Sequence, residues 1–216
     1  MDGLTGPHFL PKGKITSLIV FLHGLGSNGD DLLGLAPVLS PSLPGTGYLA
    51  PNAPFRMDRT SGYQWFDYWD RSLSQINDGV RHAAPMIADF VQAAAQEYQL
   101  PMQKIILCGF SQGTMMALHA GLRLIPDLGG IIGFSGVLMT PETLLFEKVS
   151  PLPPVLLVHG LQDTVVPAAA SFQAQIALKA LGGAVKYIQR PHLGHSIDDK
   201  GIEEAIKFSK NIFAGS

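Results

Sequence analysis

Two kinds of hydrophobic pattern alternate along this chain. The first is a short run with almost every position apolar: Ser17–Leu22 (Ser-Leu-Ile-Val-Phe-Leu), Lys104–Cys108, Gly130–Phe134 and Val155–His159, with Ala184–Gln189 as a fifth. Such runs, rich in branched residues, are expected of strands buried on both faces, as in a parallel sheet covered by two helical layers. The second kind is longer and repeats at helical spacing. Ala83–Tyr98 places Ile87, Phe90, Val91 and Ala94 on one face, with Pro85 suited to a first turn. Gln112–Leu124 follows its strand after one sharp turn. Ala168–Leu181 stops at Gly182-Gly183, a helix-ending pair, and Asp198–Phe213 opens with two acids suited to the positive end of a helix. Strand–helix alternation of this kind predicts an α/β fold: a mostly parallel central sheet with helices on both faces, in one domain spanning 1–216.

Two stretches depart from the alternation. Pro41–Pro54 is turn-rich and carries a short strand, Tyr48–Ala50. Phe55–Asp78 has no clear period but holds Tyr63, Trp65, Phe66, Tyr68 and Trp69. A long aromatic loop in a compact domain is usually functional. Trp65, Phe66 and Trp69 are therefore candidates to line a substrate entrance, against the alternatives of core packing or a dimer contact.

Composition narrows the partners. The chain has 216 residues, 46% of them apolar and 15% charged, which is a globular balance with enough material for one large core. Its net charge of −2 leaves no basic surplus for a nucleic-acid backbone or an anionic membrane surface. No apolar run reaches the roughly 18 residues of a membrane span, so no stable membrane insertion is expected. The start, Met1-Asp2-Gly3-Leu4, has an acid where a signal peptide would be basic, and a cytoplasmic protein is expected, as a monomer or weak homodimer. The lone cysteine, Cys108, sits in an apolar run and is expected in the core; no metal-ligand spacing is present, and neither metal nor cofactor is expected.

The chemistry begins at Gly109-Phe110-Ser111-Gln112-Gly113, between a predicted strand and a predicted helix. A serine on that tight turn is exposed, the flanking glycines let strand and helix pack closely, and the helix aims amides at developing negative charge. The pentapeptide alone is weak; its setting makes Ser111 a candidate nucleophile. A serine needs a base and a group to orient that base. Of the histidines after it, His119 falls in the next helix and His159 in a strand. His192 and His195 lie between the last strand and last helix, and His195, after Gly194 and beside the helix start, is preferred. For the third member, Asp163 follows strand Val155–His159, at the strand end where ligands bind in open α/β sheets. Of the other acids between Ser111 and His195, Asp127, Glu142 and Glu147, the first two look like capping or surface acids.

An acyl-transfer site also needs two backbone N–H donors: one from the residue after the nucleophile, one from an early loop. These fall on Gln112 and on Leu25, in His23-Gly24-Leu25-Gly26-Ser27-Asn28-Gly29. Because only backbone is used, replacing either side chain is expected to be mild. The same loop spells Gly24-x-Gly26-x-x-Gly29, a dinucleotide fingerprint. Against that rival, Leu43–Pro54 has no acid to hold a ribose, and Asp30 and Asp31 would repel a pyrophosphate. A binding protein without catalysis on the same fold is a further alternative.

Together the motifs resemble the phospholipase/carboxylesterase family that includes the acyl-protein thioesterases. The marks are His23-Gly24-Leu25-Gly26, Pro51-Asn52-Ala53-Pro54, Trp65-Phe66-Asp67, the Ser111 pentapeptide, His159-Gly160 with Asp163 and Val166-Pro167, and Gly194-His195, from about Ser17 to the C-terminus. The resemblance implies an α/β-hydrolase fold without a large cap domain. It implies a metal-free serine esterase acting on short to medium acyl esters or thioesters, lysophospholipids or S-acylated proteins among them. Its catalytic residues fall on Ser111, Asp163 and His195, and its oxyanion donors on Leu25 and Gln112. The chain departs from the family at Ser27, where members often carry an acid. It departs again at Val137, Leu138 and Met139, where many have a large aromatic and a proline; Val137 and Met139 thus stand in the region that shapes the acyl pocket.

Overall fold

The computed structural model describes residues 3–57, 61–68 and 72–215. The first part of the chain forms β1 (His8–Phe9), β2 (Ser17–Leu22), short helices α1 (Gly29–Leu33) and α2 (Ala36–Leu39), β3 (Thr46–Leu49), and a separate small hairpin of β4 (Phe55–Arg56) and β5 (Tyr63–Gln64). Then follow α3 (Leu73–Glu97), β6 (Ile105–Phe110), α4 (Gln112–Arg123), β7 (Gly130–Phe134), α5 (Leu144–Glu147), β8 (Val155–Gly160), α6 (Ala169–Ala180), β9 (Val185–Arg190) and α7 (Asp199–Gly215). Seven strands make one sheet in the order β1-β3-β2-β6-β7-β8-β9, parallel apart from the β1–β3 pair. No large cap domain covers it among the described residues.

The register explains the two-sided apolar runs. Val20, Leu107, Ile131 and Val155 stand side by side across four strands and face one core layer, with α3, α4 and α6. The next row, Phe21, Cys108, Ile132 and Leu156, faces the other layer, with α1, α2 and α7. A one-residue slip would exchange the two rows and both packings. Cys108 is in this core, and burial pushes its thiol pKa up. At the edge, β9 alternates partly buried and exposed positions, so it is not the two-sided strand its sequence predicts.

The largest departure is α3. The sequence places its start near Pro85, but the helix begins twelve residues earlier, with Pro85 inside it. Two features outweigh the roughly 3 kcal/mol that an interior proline costs a helix. Ser72 caps the first turn in a reciprocal box with Gln75, and Ile76 and Val80 continue the buried stripe of Ala83, Ala84, Ile87 and Val91. The end of the supposed aromatic loop is therefore helix.

The chain leaves β2 for β3 on one side and returns to β6 on the other. The sheet order thus reverses between β2 and β6. Ligands in open α/β sheets bind outside the carboxyl ends of the strands at such a point. The loops after β2 and β6 are those that carry His23–Gly29 and Ser111.

Candidate active site

Ser111 is the one-residue turn between β6 and α4. Its φ of 53° and ψ of −117° lie outside the regions open to most side chains. The strain is imposed from both sides. A Cβ on Gly113 would lie 1.8 Å from the Leu22 carbonyl oxygen, and one on Gly109 would lie 2.4 Å from Gly113. The Ser111 amide is anchored on Phe134 O at 2.9 Å, and Thr114 Oγ1 lies 2.8 Å from both Gly109 O and Phe134 O. Strand, turn and helix are locked into one shape that places Ser111 at the carboxyl end of the central strand.

His195, from the loop between β9 and α7, reaches the same place. Its imidazole and Ser111 line one cavity of about 310 Å³, and its ring centre is 4.9 Å from that of Phe110. Nδ1 of His195 lies 2.7 Å from Oδ2 of Asp163, three residues past the end of β8. A carboxylate only accepts, so Nδ1 carries the proton and Nε2 is left as the basic nitrogen. Oδ1 of Asp163 accepts from the Val165 and Val166 amides, both at 2.8 Å. Burial pushes the Asp163 pKa up, but the bonds from His195, Val166 and Val165 outweigh it and hold the carboxyl below its ordinary value.

A second imidazole packs beside the same carboxylate. His159, buried at the end of β8, brings Nε2 to 3.2 Å from Asp163 Oδ2 and 2.8 Å from Val166 O, while its Nδ1 meets Ser171 Oγ at 2.7 Å. A carbonyl only accepts, so Nε2 carries the proton and donates it to Val166 O, with the carboxylate beside it. The one signal of His159 in the sequence is a polar residue inside an otherwise apolar strand.

Leu25 and Gln112 also line the cavity, and neither backbone amide has a hydrogen-bond acceptor among the described residues. Gln112 is the first residue of α4, whose first-turn amides have no intrahelical partner. The Leu25 loop packs directly on the elbow: a Cβ on Gly24 would meet the Phe110 ring at 3.2 Å and Ser111 Cβ at 3.5 Å. Glycine there serves close approach to Ser111, which accounts for part of the fingerprint without a dinucleotide.

The expected substrate-binding aromatics need correction. Trp65 and Phe66 are 0% and 1% exposed and belong to the core, because the Gln112 side chain draws their backbone inward. Its Oε1 accepts from Trp65 N and its Nε2 donates to Phe66 O, each at 2.8 Å. The indole Nε1 of Trp65 in turn donates to His23 O at 2.9 Å, just before the Leu25 loop. These residues hold the two loops that carry the free amides, and the Gln112 side chain, expected to be dispensable, is a buried clamp. Val137 and Met139 are half-buried against the larger core layer and are not among the described lining residues. Trp69 lies outside the described residues. The cavity wall comes instead from neighbours of the motifs, notably Tyr68, Phe110, Met115, Val165 and Val166.

His23 is a structural residue: Nδ1 lies 2.8 Å from Gly24 O and Nε2 accepts from Ala53 N at 3.0 Å. Among the described residues no three His, Cys, Asp or Glu side chains gather to hold a metal ion.

A parallel sheet with a serine on a strained strand–helix turn, beside a carboxylate-held imidazole, defines the α/β-hydrolases as a class. Comparison with known proteins narrows this. The family model for Phospholipase/Carboxylesterase matches residues 9–212. Acyl-protein thioesterase 1 of Schizosaccharomyces pombe is 28% identical over 213 residues, covering 94% of this chain and 93% of that protein. The crystal structure of esterase PE8 superposes with a TM-score of 0.92 at 39% identity, covering 98% of this chain and all of that one (100%). That of Zea mays acyl-protein thioesterase 2 gives 0.81 at 27% identity, covering 98% and 100%. The chain belongs to the phospholipase/carboxylesterase family.

Proposed function

We propose that this protein is a serine hydrolase that cleaves carboxylic esters or thioesters of short to medium acyl chains through an acyl intermediate on Ser111. Family membership supports the ester-hydrolase reading. The observation that carries the residue roles is the cavity shared by Ser111, His195 and the unpaired Leu25 and Gln112 amides, with Asp163 bonded behind the imidazole.

In the first half-reaction Ser111 Oγ attacks the acyl carbonyl carbon while His195 Nε2 takes the hydroxyl proton. The carbonyl oxygen becomes an oxyanion, which the Leu25 and Gln112 N–H groups bind. Asp163 fixes the imidazole tautomer and stabilises the imidazolium. Collapse of the intermediate breaks the bond to the leaving group. An alcohol departs with the proton returned from His195; a thiol departs as thiolate or with that proton. Water, activated by the same imidazole, then attacks the acyl-serine and releases the acid. The α4 N-terminus adds its positive dipole end to the oxyanion side.

The relatives named acyl-protein thioesterases support acylated substrates. The cavity wall, mostly apolar, supports acyl chains over polar ones. No described helix is long and apolar enough to cross a membrane. We assign the protein to the cytoplasm, on the support of a single buried thiol that needs no oxidising compartment.

The test is hydrolysis of a short-chain nitrophenyl ester. The wild type turns it over, and Ser111→Ala loses nearly all turnover while its circular dichroism stays unchanged. Full activity in Ser111→Ala would refute the assignment.

A further inference from the structure

The cavity in front of Ser111 also carries a carboxylate that the steps above do not use. Asp31, on α1, lines it together with Ser27. The Asp31 amide donates to Asn28 Oδ1 at 3.0 Å, and its Oδ2 accepts from the Ser27 hydroxyl at 2.6 Å. No lysine or arginine is among the described lining residues. His23, also on the cavity wall, has its pKa lowered by burial, against which its bond to Gly24 O and then the charge of Asp31 pull upward. Asp163 carries negative charge too, but it is buried behind His195 and satisfied by the His195, Val165 and Val166 donors. Asp31 is exposed to solvent at the open side, with only Ser27 on its carboxylate among the described residues.

This placement runs against the chemistry. A site that must stabilise an oxyanion gains nothing from a nearby carboxylate, which repels the developing charge. Its effect falls instead on whichever part of the substrate lies along that wall. A cationic group is attracted and an anionic one repelled, through a low-dielectric cleft that focuses the field.

Building on the serine-hydrolase reading, we propose that Asp31 sets the charge selectivity of this cleft: esters and thioesters that are neutral or cationic beside the reacting bond are accepted, and those carrying an anionic group there are rejected. Because Asp31 is exposed, the discrimination is moderate and salt-dependent, roughly tenfold in kcat/KM between cationic and anionic partners at low ionic strength.

The experiment compares kcat/KM for wild type and Asp31→Asn on two matched series. In one the charge sits on the acyl end: nitrophenyl esters of pentanoate, of 4-trimethylammoniobutyrate and of glutarate. In the other it sits on the leaving group: butyrylthiocholine against S-butyrylthioglycolate. Asparagine keeps an acceptor for Ser27 and removes only the charge. The expected result is a cationic preference in at least one series, shrinking with added salt. In Asp31→Asn the cationic substrate falls and the anionic one rises, in opposite directions. The proposal is overturned if neither series shows a preference in the wild type. It is equally overturned if the preference persists in Asp31→Asn, or if all substrates fall in proportion, which is the mark of a loop merely held in shape. Failure of the wild type to cleave even the uncharged pentanoate ester would instead overturn the hydrolase reading beneath it.

Discussion

Nδ1 of His195 sits 2.7 Å from Oδ2 of Asp163, 32 residues earlier in the chain, and the other carboxylate oxygen accepts from the Val165 and Val166 amides. Replacing Asp163 with asparagine keeps an oxygen for the two amides. It also sets an NH₂ group against the N–H donor of His195. The imidazole of His195 must then turn or shift its proton to Nε2, where it is no longer a base. Asp163→Asn should lose about 10⁴-fold in kcat, with the fold intact by near-ultraviolet circular dichroism. A loss under tenfold would remove Asp163 from the orienting role.

The side chains beside the two free amides should behave unequally. Leu25 contributes its amide alone to the proposed chemistry, and Leu25→Ala should leave kcat within a few-fold. Gln112→Ala leaves the buried Trp65 N and Phe66 O without partners. At roughly 1–3 kcal/mol for each orphaned group, it should lower the unfolding free energy by about 2–6 kcal/mol. Urea denaturation midpoints of the two variants check this, and equal midpoints would contradict the clamp.

Trp65 tests how rigidly the Leu25 loop is held. Trp65→Phe keeps most of the buried ring but loses the bond from Nε1 to His23 O. We expect kcat to fall several-fold with KM little changed, since the loop acts on the transition state rather than on ground-state binding. Steady-state kinetics on a single ester separates the two.

Acid should weaken the fold in two stages. His119, inside α4, has its pKa lowered from 6.5 to about 4 by burial and then by Arg123. Glu147 has its pKa lowered from 4.5 to about 2: burial raises it, but hydrogen bonds from Arg123, Thr143 and Arg81 prevail. Both folded pKa values lie below the unfolded ones, so the unfolded chain binds more protons as pH falls and stability is lost. The His119 share disappears between pH 6.5 and about 4, and the Glu147 share between 4.5 and about 2. In thermal melts across this range, His119→Met should flatten the upper limb and leave the lower one.

What the sequence reveals depends on how local the cause is. The elbow is legible because its pentapeptide is contiguous, although the clash that demands Gly113 comes from Leu22 on the neighbouring strand. Strands β2, β6, β7 and β8 are legible because both of their faces are buried. The positions of Trp65 and Phe66 are not, since a glutamine 47 and 46 residues away decides them, and no period marks that contact. The start of α3 was misread through Pro85, although Ser72-Leu73-Ser74-Gln75 spells a capping box. His159 stood in plain view as a polar residue in an apolar strand, but its partner Asp163 is reached only once β8 and the loop after it are folded.

Everything above turns on one oxygen, the hydroxyl of Ser111, being the atom that takes the acyl group. The direct measurement is intact-mass and peptide mapping after reaction with a fluorophosphonate. The account predicts a single phosphonyl adduct, on Ser111, formed in step with loss of ester turnover. Turnover abolished while Ser111 maps as unmodified, or an adduct that persists in Ser111→Ala, would contradict it.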